Sequence, residues 1–303
     1  MIAEKVLMLL NACKRLVVPC TLHKKWECLN MHLLKIEAFI EKNEPLQFIL
    51  PAFPAKSANA NKTFSFLPDL GEKLALIFLN DLCNAIEGFY APGACIKICS
   101  DGRVFSDLVQ VQDADISAYF QKMQEIIDSE KLQNISLYSL DDYYGSSDHQ
   151  QMRHQLVEEY AVSCDEFRES MKSNPDSLQL FNGMHRFIFE DNLFHFQDLS
   201  RNRVRKLSGE ITLQVIQRSN AFSRLLERVF PEALRLSIHP QRCGSEKIGI
   251  MLLKADNPWA TPWHRVVLYQ DKHPLLVRKS EAEALGAAPV FINNHFSHYE
   301  LMN

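Results

Sequence analysis

The stretch "LQFILPAFPAKSANANK" at positions 46–62 places a short apolar run directly before a loop that contains prolines and lysines but no glycine. The run Leu46–Leu50 is typical of a buried strand. A loop that only had to turn the chain would favour glycine, which reaches positive φ without steric cost. Pro51 and Pro54 instead fix φ, so the sequence predicts a stiff loop beyond a strand end.

The residues around these prolines are expected to present side chains to a ligand. A residue that precedes proline is pushed towards extended geometry, which we expect for Leu50 and Phe53. Lys56 and Ser57 would then project at a defined place beyond the strand.

Helical and strand-like segments alternate on both sides of this stretch. Apolar spacings of three or four predict helices over 24–43, 70–89, 114–129, 149–172 and 207–230. Short apolar runs predict strands at Leu46–Leu50, Cys95–Cys99, Ile135–Tyr138, Leu234–Ile238, Ile248–Leu253, Arg265–Tyr269 and Leu275–Val277. The first three strands alternate with helices, which is typical of a parallel sheet, whereas the last three are joined by short connections.

We therefore predict an α/β fold with a mostly parallel, Rossmann-like sheet flanked by helices. An antiparallel C-terminal extension and a helical lobe complete it. The predicted divisions are N-terminal helices over 1–43, an α/β core over 44–139 and 234–303, and a helical lobe over 140–233. The lobe either stands apart or belongs to one continuous domain.

Composition limits the classes of function. The chain has 303 residues, 47% hydrophobic and 23% charged, with a net charge of −4, which argues against a nucleic-acid-binding protein. The basic cluster "SRNRVRK" at 200–206 is interpreted as a solvated helix start. No apolar run reaches the roughly 20 residues that a membrane span needs, and the N-terminal segment reads as an amphipathic helix rather than a signal peptide. Eight cysteines without C-x-x-C predict mostly buried thiols, a reducing cytoplasm and no metal site.

Several polar side chains follow strand ends and are expected to meet at one edge of the sheet, where ligands bind in open α/β folds. They are Lys56, Asp101, Arg103, His239, Gln241 and Lys247. No G-x-G-x-x-G, Walker A, G-x-S-x-G or H-E-x-x-H motif is present. A phosphorylated ligand would thus be bound by side-chain cations rather than by a glycine-rich loop, and no cofactor is predicted.

Five segments together resemble the isonitrile synthases of the pyoverdine/dityrosine biosynthesis family. They are "LPAFPAKSANANKTFSFLPDLGEKLAL" (50–76), "SDGRVFSDLVQVQD" (100–113), "LRLSIHPQ" (234–241), "KIGIML" (247–252) and "TPWHRVV" (261–267). The resemblance implies an enzyme that joins the α-amino group of an aromatic L-amino acid, tyrosine in preference to tryptophan, to the ketone carbon of ribulose 5-phosphate. That carbon becomes the isonitrile carbon. The resemblance implies no metal or organic cofactor, and it implies an iron(II), 2-oxoglutarate-dependent oxygenase as the partner that receives the product.

These substrates suggest roles for the candidate residues. Lys56, Ser57 and Lys62 are placed near the phosphate, and Arg103 near either the phosphate or the carboxylate. His239 is the predicted proton relay, and His264 with Arg265 is a second candidate pair, of which one should face inwards. Gln241, Lys247, Asp101 and Trp263 complete the predicted substrate contacts. Asp101 is alternatively a turn former, because Asp-Gly is a tight-turn dipeptide, and Trp263 is alternatively a packing residue. Asp69 and Glu72 are interpreted as a helix cap, and His295 and His298 as parts of a surface tail.

Two other interpretations stay open at this stage. One is a sugar-phosphate isomerase or aldolase-like enzyme that uses Lys56 or Lys247 as a Schiff-base amine. The other is a non-catalytic protein that binds a sugar phosphate.

Overall fold

A computed structural model of the chain describes residues 1–21, 25–255, 257–270 and 273–301. The α-helices are α1 (Ile2–Ala12), α2 (Leu33–Lys42), α3 (Leu70–Glu87), α4 (Gly102–Phe105), α5 (Asp113–Ser129), α6 (Leu140–Tyr144), α7 (His149–Tyr160), α8 (Cys164–Ser173), α9 (Pro175–His195), α10 (Arg201–Val229) and α11 (Lys279–Ala284). The β-strands are β1 (Leu46–Pro51), β2 (Ala94–Cys99), β3 (Ile135–Tyr138), β4 (Leu234–Ser237), β5 (Ile248–Gly249), β6 (Val266–Gln270), β7 (His273–Val277), β8 (Ala287–Ile292) and β9 (His295–Leu301). Segments of 3-10 helix cover Lys25–His32, Ser106–Leu108 and Pro262–His264.

Five strands form an entirely parallel sheet in the order β3-β2-β1-β4-β5, which confirms the predicted parallel core. Phe48 of β1 lies opposite Ile96 of β2 on one side and opposite Leu234 of β4 on the other. The chain moves outward from β1 through β2 and β3 and later returns to the other side of β1 as β4. The loops that follow β1 and β4 therefore diverge, and this reversal creates a crevice at the carboxyl edge of the sheet.

Side chains of β1 alternate between two hydrophobic cores. Phe48 and Leu50 pack with residues of α1, α2, α3 and α5, whereas Ile49 packs with residues of α7 and α10. All three are at most 2% exposed. Because helices cover both faces of the sheet, the strand is apolar along most of its length, as the sequence indicated.

The C-terminal extension is a separate four-stranded sheet in the order β7-β6-β9-β8. It is mixed, because β6 and β9 are parallel while the other pairs are antiparallel. Three strand assignments differ from the sequence prediction, and one of them is β8, for which no strand was predicted. Ile248–Gly249 is the edge strand of the parallel sheet, and the presumed surface tail around His295 and His298 forms β9. Phe296 and Tyr299 anchor β9 in its own core, a burial pattern without strict alternation.

The segment between β3 and β4 is helical, as predicted. The single helix expected over 149–172 is divided into α7 and α8, because Ser163 accepts a hydrogen bond from the backbone N–H of Glu166 and starts a new helix. Ser200 caps α10 in the same way, which confirms the helix start at the basic cluster. Whether this lobe is a domain of its own stays a prediction. Within the described residues, no helix has the length and apolar character needed to cross a membrane.

Candidate active site

A cavity of about 550 Å³ opens at the crevice between the loops that follow β1 and β4. Loop residues such as Pro54 and Ile238 line one part of it, and residues of α9 and α10 line another part. The volume lies within the range of about 300–1,000 Å³ that is usual for sites of small organic ligands. This cavity is the candidate active site.

The loop after β1 leaves the sheet through a strained residue. Phe53 has a φ of 57°, so the expectation that it is extended was wrong. Proline disfavours the right-handed α region for the preceding residue, and Phe53 occupies the left-handed region instead. Its ring contacts Trp263, with centroids 5.2 Å apart, and its carbonyl accepts a hydrogen bond of 3.0 Å from Ser100 Oγ. The next carbonyl, of Pro54, packs so closely on Gly102 that a Cβ there would lie 2.1 Å from the oxygen.

Lys56 lines the cavity, but its ammonium group is engaged inside the protein. Lys56 Nζ lies 2.7 Å from Asp69 Oδ2 and 2.9 Å from Glu72 Oε2, and it donates to the carbonyl of Pro262 at 3.0 Å. The residue is 1% exposed. Burial lowers the pKa of Lys56, but the two carboxylates raise it above its ordinary value, so the amine is charged. The projecting cation predicted from sequence is therefore a buried partner of two acids.

The same two acids cap α3, as predicted. Asp69 Oδ1 accepts a hydrogen bond of 2.8 Å from the backbone N–H of Gly71, and Glu72 Oε2 accepts one of 3.0 Å from the backbone N–H of Asp69. This reciprocal arrangement satisfies N–H groups that the first helical turn leaves without partners. The cap and the ion pairs together connect the loop after β1 to the start of α3.

Ser57 lines the cavity, whereas Lys62 does not. Both contact Asp191 of α9: Ser57 Oγ donates to Oδ1 at 3.1 Å, and Lys62 Nζ lies 2.7 Å from the same oxygen. Lys62 Nζ also lies 3.4 Å from Glu190 Oε2. Lys62 thus attaches the loop to α9 and is not positioned as the phosphate contact expected from sequence.

Arg103 faces a second cavity, of about 170 Å³. Its guanidinium group donates to Asp141 Oδ2 and to Asp113 Oδ1, each at 3.2 Å, and to the hydroxyl of Ser117. Asp113 and Ser117 belong to α5, so α4 directs this side chain towards α5 rather than towards Lys56. The two cations that the sequence placed at one rim are therefore in different pockets.

Asp101 lines the main cavity immediately before α4. Among the described groups its buried Oδ1 has no hydrogen-bond partner, and its side chain makes no cap bond to the helix. Burial raises the pKa of Asp101 to about 7. A carboxyl group with this pKa can accept or release a proton near neutral pH.

His239 and Gln241 line the cavity from the loop after β4. The His239 ring lies 5.4 Å from the ring of Trp259, measured between centroids. Burial and the nearby charges of Lys247 and Arg15 lower the pKa of His239 to about 4, so the imidazole is neutral at neutral pH. Gln241 Nε2 donates to the carbonyl of His239 at 3.2 Å and supports the loop.

Lys247 also lines the cavity. Its Nζ donates to Ser223 Oγ of α10 at 2.9 Å. Burial and the neighbouring Arg235 lower the pKa of Lys247 to about 8. In contrast to Lys56, this amine exchanges its proton close to neutral pH.

The 3-10 turn before β6 divides its residues between the cavity and the interior. Trp263 and His264 line the cavity, and Arg265, which is 4% exposed, does not. The His264 ring stacks on Phe187 of α9, with centroids 5.3 Å apart, and Nδ1 is buried without a hydrogen-bond partner among the described groups. Burial, with a smaller contribution from Lys62, lowers the pKa of His264 to about 3. The expected division between His264 and Arg265 is present, although a turn and not strand alternation produces it.

Sequence reasoning missed the part of the lining that comes from α9 and α10. Leu180, Met184, Phe187 and Asp191 recur at helical spacing and face the cavity from α9. Gly183 allows Trp259 to approach this helix, since a Cβ at Gly183 would lie 2.7 Å from the indole ring. The periodicity was visible in the sequence, but an apolar helical stripe is equally typical of core packing.

The cavity therefore combines two neutral imidazoles, a carboxyl group and an amine that titrate near neutral pH, and aromatic walls. Such groups suit proton transfers around a carbonyl or an imine. Outside the cavity, the described residues contain one group of at least three side chains that could ligate a metal, formed by Cys20, Cys28 and Cys243.

Comparisons with known proteins agree on one family. The sequence model described as "Pyoverdine/dityrosine biosynthesis protein" matches residues 36–288. An L-tryptophan isonitrile synthase from Fischerella ambigua is 43% identical over 281 residues, which cover 93% of this chain and 84% of that protein. An L-tyrosine isonitrile synthase from Pseudomonas aeruginosa is 42% identical, covering 89% and 84% respectively. The crystal structure of the PvcA protein from Pseudomonas aeruginosa superposes with a TM-score of 0.94 at 38% identity, covering 99% of this chain and 100% of that one.

Proposed function

Since the chain belongs to the pyoverdine/dityrosine biosynthesis family, we propose that it is an isonitrile synthase. In this proposal it converts the α-amino group of an aromatic L-amino acid, tyrosine in preference to tryptophan, and takes the new carbon from ribulose 5-phosphate. The observation that carries the proposal is the single cavity that brings His239, His264, Asp101 and Lys247 together beside aromatic walls.

The first chemical step is the attack of the amine on the ketone of ribulose 5-phosphate. An amino acid arrives as an ammonium ion, so a base must remove one proton before the nitrogen can attack. His239 is neutral and faces the cavity, which suits this role. The carbinolamine then loses water to form the imine, and Asp101, whose pKa is raised to about 7, supplies the proton that the departing hydroxyl group needs.

Lys247 is the cavity cation best placed for an anion of the substrates. Lys56 is held by Asp69 and Glu72, and Lys62 by Asp191. The only side-chain partner that Lys247 shows at hydrogen-bond distance among the described residues is the neutral hydroxyl of Ser223. A bound phosphate would raise the pKa of Lys247 and of the nearby His239, because a negative charge favours their protonated forms. Phosphate binding would thus strengthen His239 as a base when the sugar is present.

The aromatic lining suits the side chain of the amino acid. Trp259, Trp263 and Phe187 line the same cavity as His239 and His264. Aromatic rings contact one another favourably at centroid distances of about 4.5–7 Å. We place the substrate ring among these three residues.

The decisive experiment supplies ribulose 5-phosphate labelled with ¹³C at the ketone carbon together with each aromatic amino acid. We expect a labelled isonitrile carboxylate from tyrosine, detected by mass spectrometry. Product from tryptophan alone would reverse the substrate preference but keep the reaction, whereas the absence of labelled product from every aromatic amino acid would refute the proposed function.

One observation keeps the Schiff-base alternative testable. Lys247, whose pKa is lowered to about 8, is the lysine that could serve as a nucleophile, whereas Lys56 is charged and paired. Borohydride added to enzyme and ribulose 5-phosphate without amino acid is expected to leave Lys247 unmodified. A sugar adduct on Lys247 in the absence of isonitrile formation would favour the aldolase-like enzyme.

We further propose that the product passes to an iron(II), 2-oxoglutarate-dependent oxygenase. An isonitrile made from a free amino acid retains its carboxylate, and oxidative removal of that group needs chemistry of this class. The purified protein alone is expected to accumulate the carboxylate, and a vinyl isonitrile should appear only after such an oxygenase is added. Vinyl product from the purified protein alone would contradict the assignment of oxidative decarboxylation to a separate oxygenase.

A further inference from the structure

Three cysteine side chains meet outside the catalytic cavity. The thiols of Cys20, Cys28 and Cys243 all lie within 4.8 Å of one another. Cys28 is buried, Cys20 is half-buried and Cys243 is exposed, so the cluster has one side open to solvent. Sequence inspection missed it because Cys243 is distant along the chain from Cys20 and Cys28 and the three residues form no C-x-x-C motif.

The charge around the cluster suits a bound cation. Lys14 Nζ lies 3.0 Å from Cys28 Sγ, so a side-chain ammonium group stands beside the sulfur atoms. Three thiolates and one divalent ion would carry a net charge of −1, which the lysine ammonium would balance. Sulfur ligands select soft ions such as Zn²⁺ rather than Mg²⁺ or Ca²⁺.

The cluster also joins two segments that meet at the cavity. Cys243 belongs to the loop after β4 that carries His239 and Gln241, and the backbone N–H of Gly244 donates to the carbonyl of Cys28 at 3.0 Å. The N-terminal segment pairs with the same loop, since the N–H of Gln241 donates to the carbonyl of Arg15 at 3.1 Å. An ion at the cluster would hold this loop to the segment that contains Cys20 and Cys28.

We propose that Cys20, Cys28 and Cys243 form a three-thiolate Zn²⁺ site that fastens the loop after β4 to the N-terminal segment. Each ligand loses its proton when the ion binds, so three thiols become three thiolates and no electron is transferred. A water molecule would complete tetrahedral coordination from the solvent side of Cys243. The role of the ion is structural, because none of its ligands lines the catalytic cavity.

Metal titration of the reduced, full-length protein tests the site. We expect one Zn²⁺ per chain, protection of three thiols from alkylation, and thiolate-to-metal charge-transfer bands when Co²⁺ replaces Zn²⁺. Cys243→Ser should weaken Zn²⁺ binding by at least about 100-fold, since losing a ligand costs more than losing a group that only orients one. Cys95→Ser is the matched control, because Cys95 is likewise exposed but lies outside the cluster, and it should bind Zn²⁺ as the wild type does.

Alkylation of the wild-type protein with and without Zn²⁺ keeps the test independent of how the variants fold. Equal binding by Cys243→Ser and the wild type would overturn the site. So would wild-type protein that protects no thiol at micromolar Zn²⁺, or a peptide map of the purified protein that shows a disulfide within the cluster in place of a bound ion.

Discussion

At the residue scale, Lys56 lies on the cavity wall, but its ammonium group forms ion pairs inside the protein and stabilises the fold. Three protein oxygen atoms, from Asp69, Glu72 and Pro262, surround its Nζ within 3.0 Å. Removing one partner of a buried ion pair leaves the other charge without compensation, and this uncompensated charge is the main cause of the lost stability. Here two carboxylates would lose the same cation.

We therefore expect Lys56→Met to lower the free energy of unfolding by about 3–5 kcal/mol. Chemical denaturation with urea measures this change, and Lys122→Met on the exposed face of α5 is the control, because its ion pair with Glu125 is open to solvent. If Lys56→Met unfolds at the wild-type urea concentration while losing activity, Lys56 is a substrate contact rather than a structural cation.

A second residue-scale prediction concerns His264. Its pKa is about 3 in the folded protein against an ordinary value of 6.5, so between these pH values the unfolded chain binds a proton that the folded protein does not. Stability contributed by neutral His264 is thus present above pH 6.5 and is lost as the pH falls towards 3. Comparing unfolding free energies at pH 7 and pH 4.5, we expect His264→Asn to lose less stability than the wild type, by on the order of 2 kcal/mol.

His154→Asn is the control for this comparison, because His154 is a solvent-exposed histidine of α7. It should reproduce the wild-type dependence on pH. Parallel pH profiles for His264→Asn and the wild type would show that His264 is not held neutral in the folded protein.

At the scale of elements, the contact between the loop after β1 and the start of α4 positions one side of the cavity. Gly102 is the point of closest approach, since its absent Cβ leaves room for the carbonyl of Pro54. Both segments carry cavity residues, Ser57 on the loop and Asp101 before the helix. A change at this contact should therefore affect stability and substrate binding together.

Gly102→Ala places a Cβ 2.1 Å from the Pro54 oxygen and 3.0 Å from Ile116 Cδ1. We expect the free energy of unfolding to fall by about 1–3 kcal/mol and KM to rise. Gly209→Ala is the matched control, because nothing lies within 4 Å of its Cβ position inside α10, and it should stabilise the protein by about 0.4–1 kcal/mol. A Gly102→Ala variant as stable as the wild type would mean that the loop after β1 moves away from the added Cβ without a loss of stability.

At the scale of the whole molecule, loops of the parallel sheet, the turn before β6 and the helical lobe surround the main cavity, which needs no metal in the proposed chemistry. His239, His264, Asp101 and Lys247 come from three different loops, and α9 and α10 complete the lining. The thiol cluster lies outside that cavity. Catalysis and metal-dependent stability should therefore be separable.

Exhaustive chelation and desalting are expected to leave kcat unchanged while lowering the melting temperature, because the proposed ion fastens a loop and takes no part in the reaction. Isonitrile formation and thermal unfolding, measured on the same treated sample, check this. Activity that returns only after a divalent ion is added back would assign the metal a catalytic role.

The sequence by itself determined most of the elements and the parallel sheet, because strand and helix formation depend on local periodicity and on apolar runs such as Leu46–Leu50. It also located His239 and His264, which lie at element boundaries in segments that resemble the family. Only the tertiary structure decided which side chains share a pocket. Lys56 pairs with two buried acids, Arg103 faces a second cavity, and α9 and α10 complete the lining of the main cavity. These contacts depend on how distant segments pack, and no local sequence pattern encodes them.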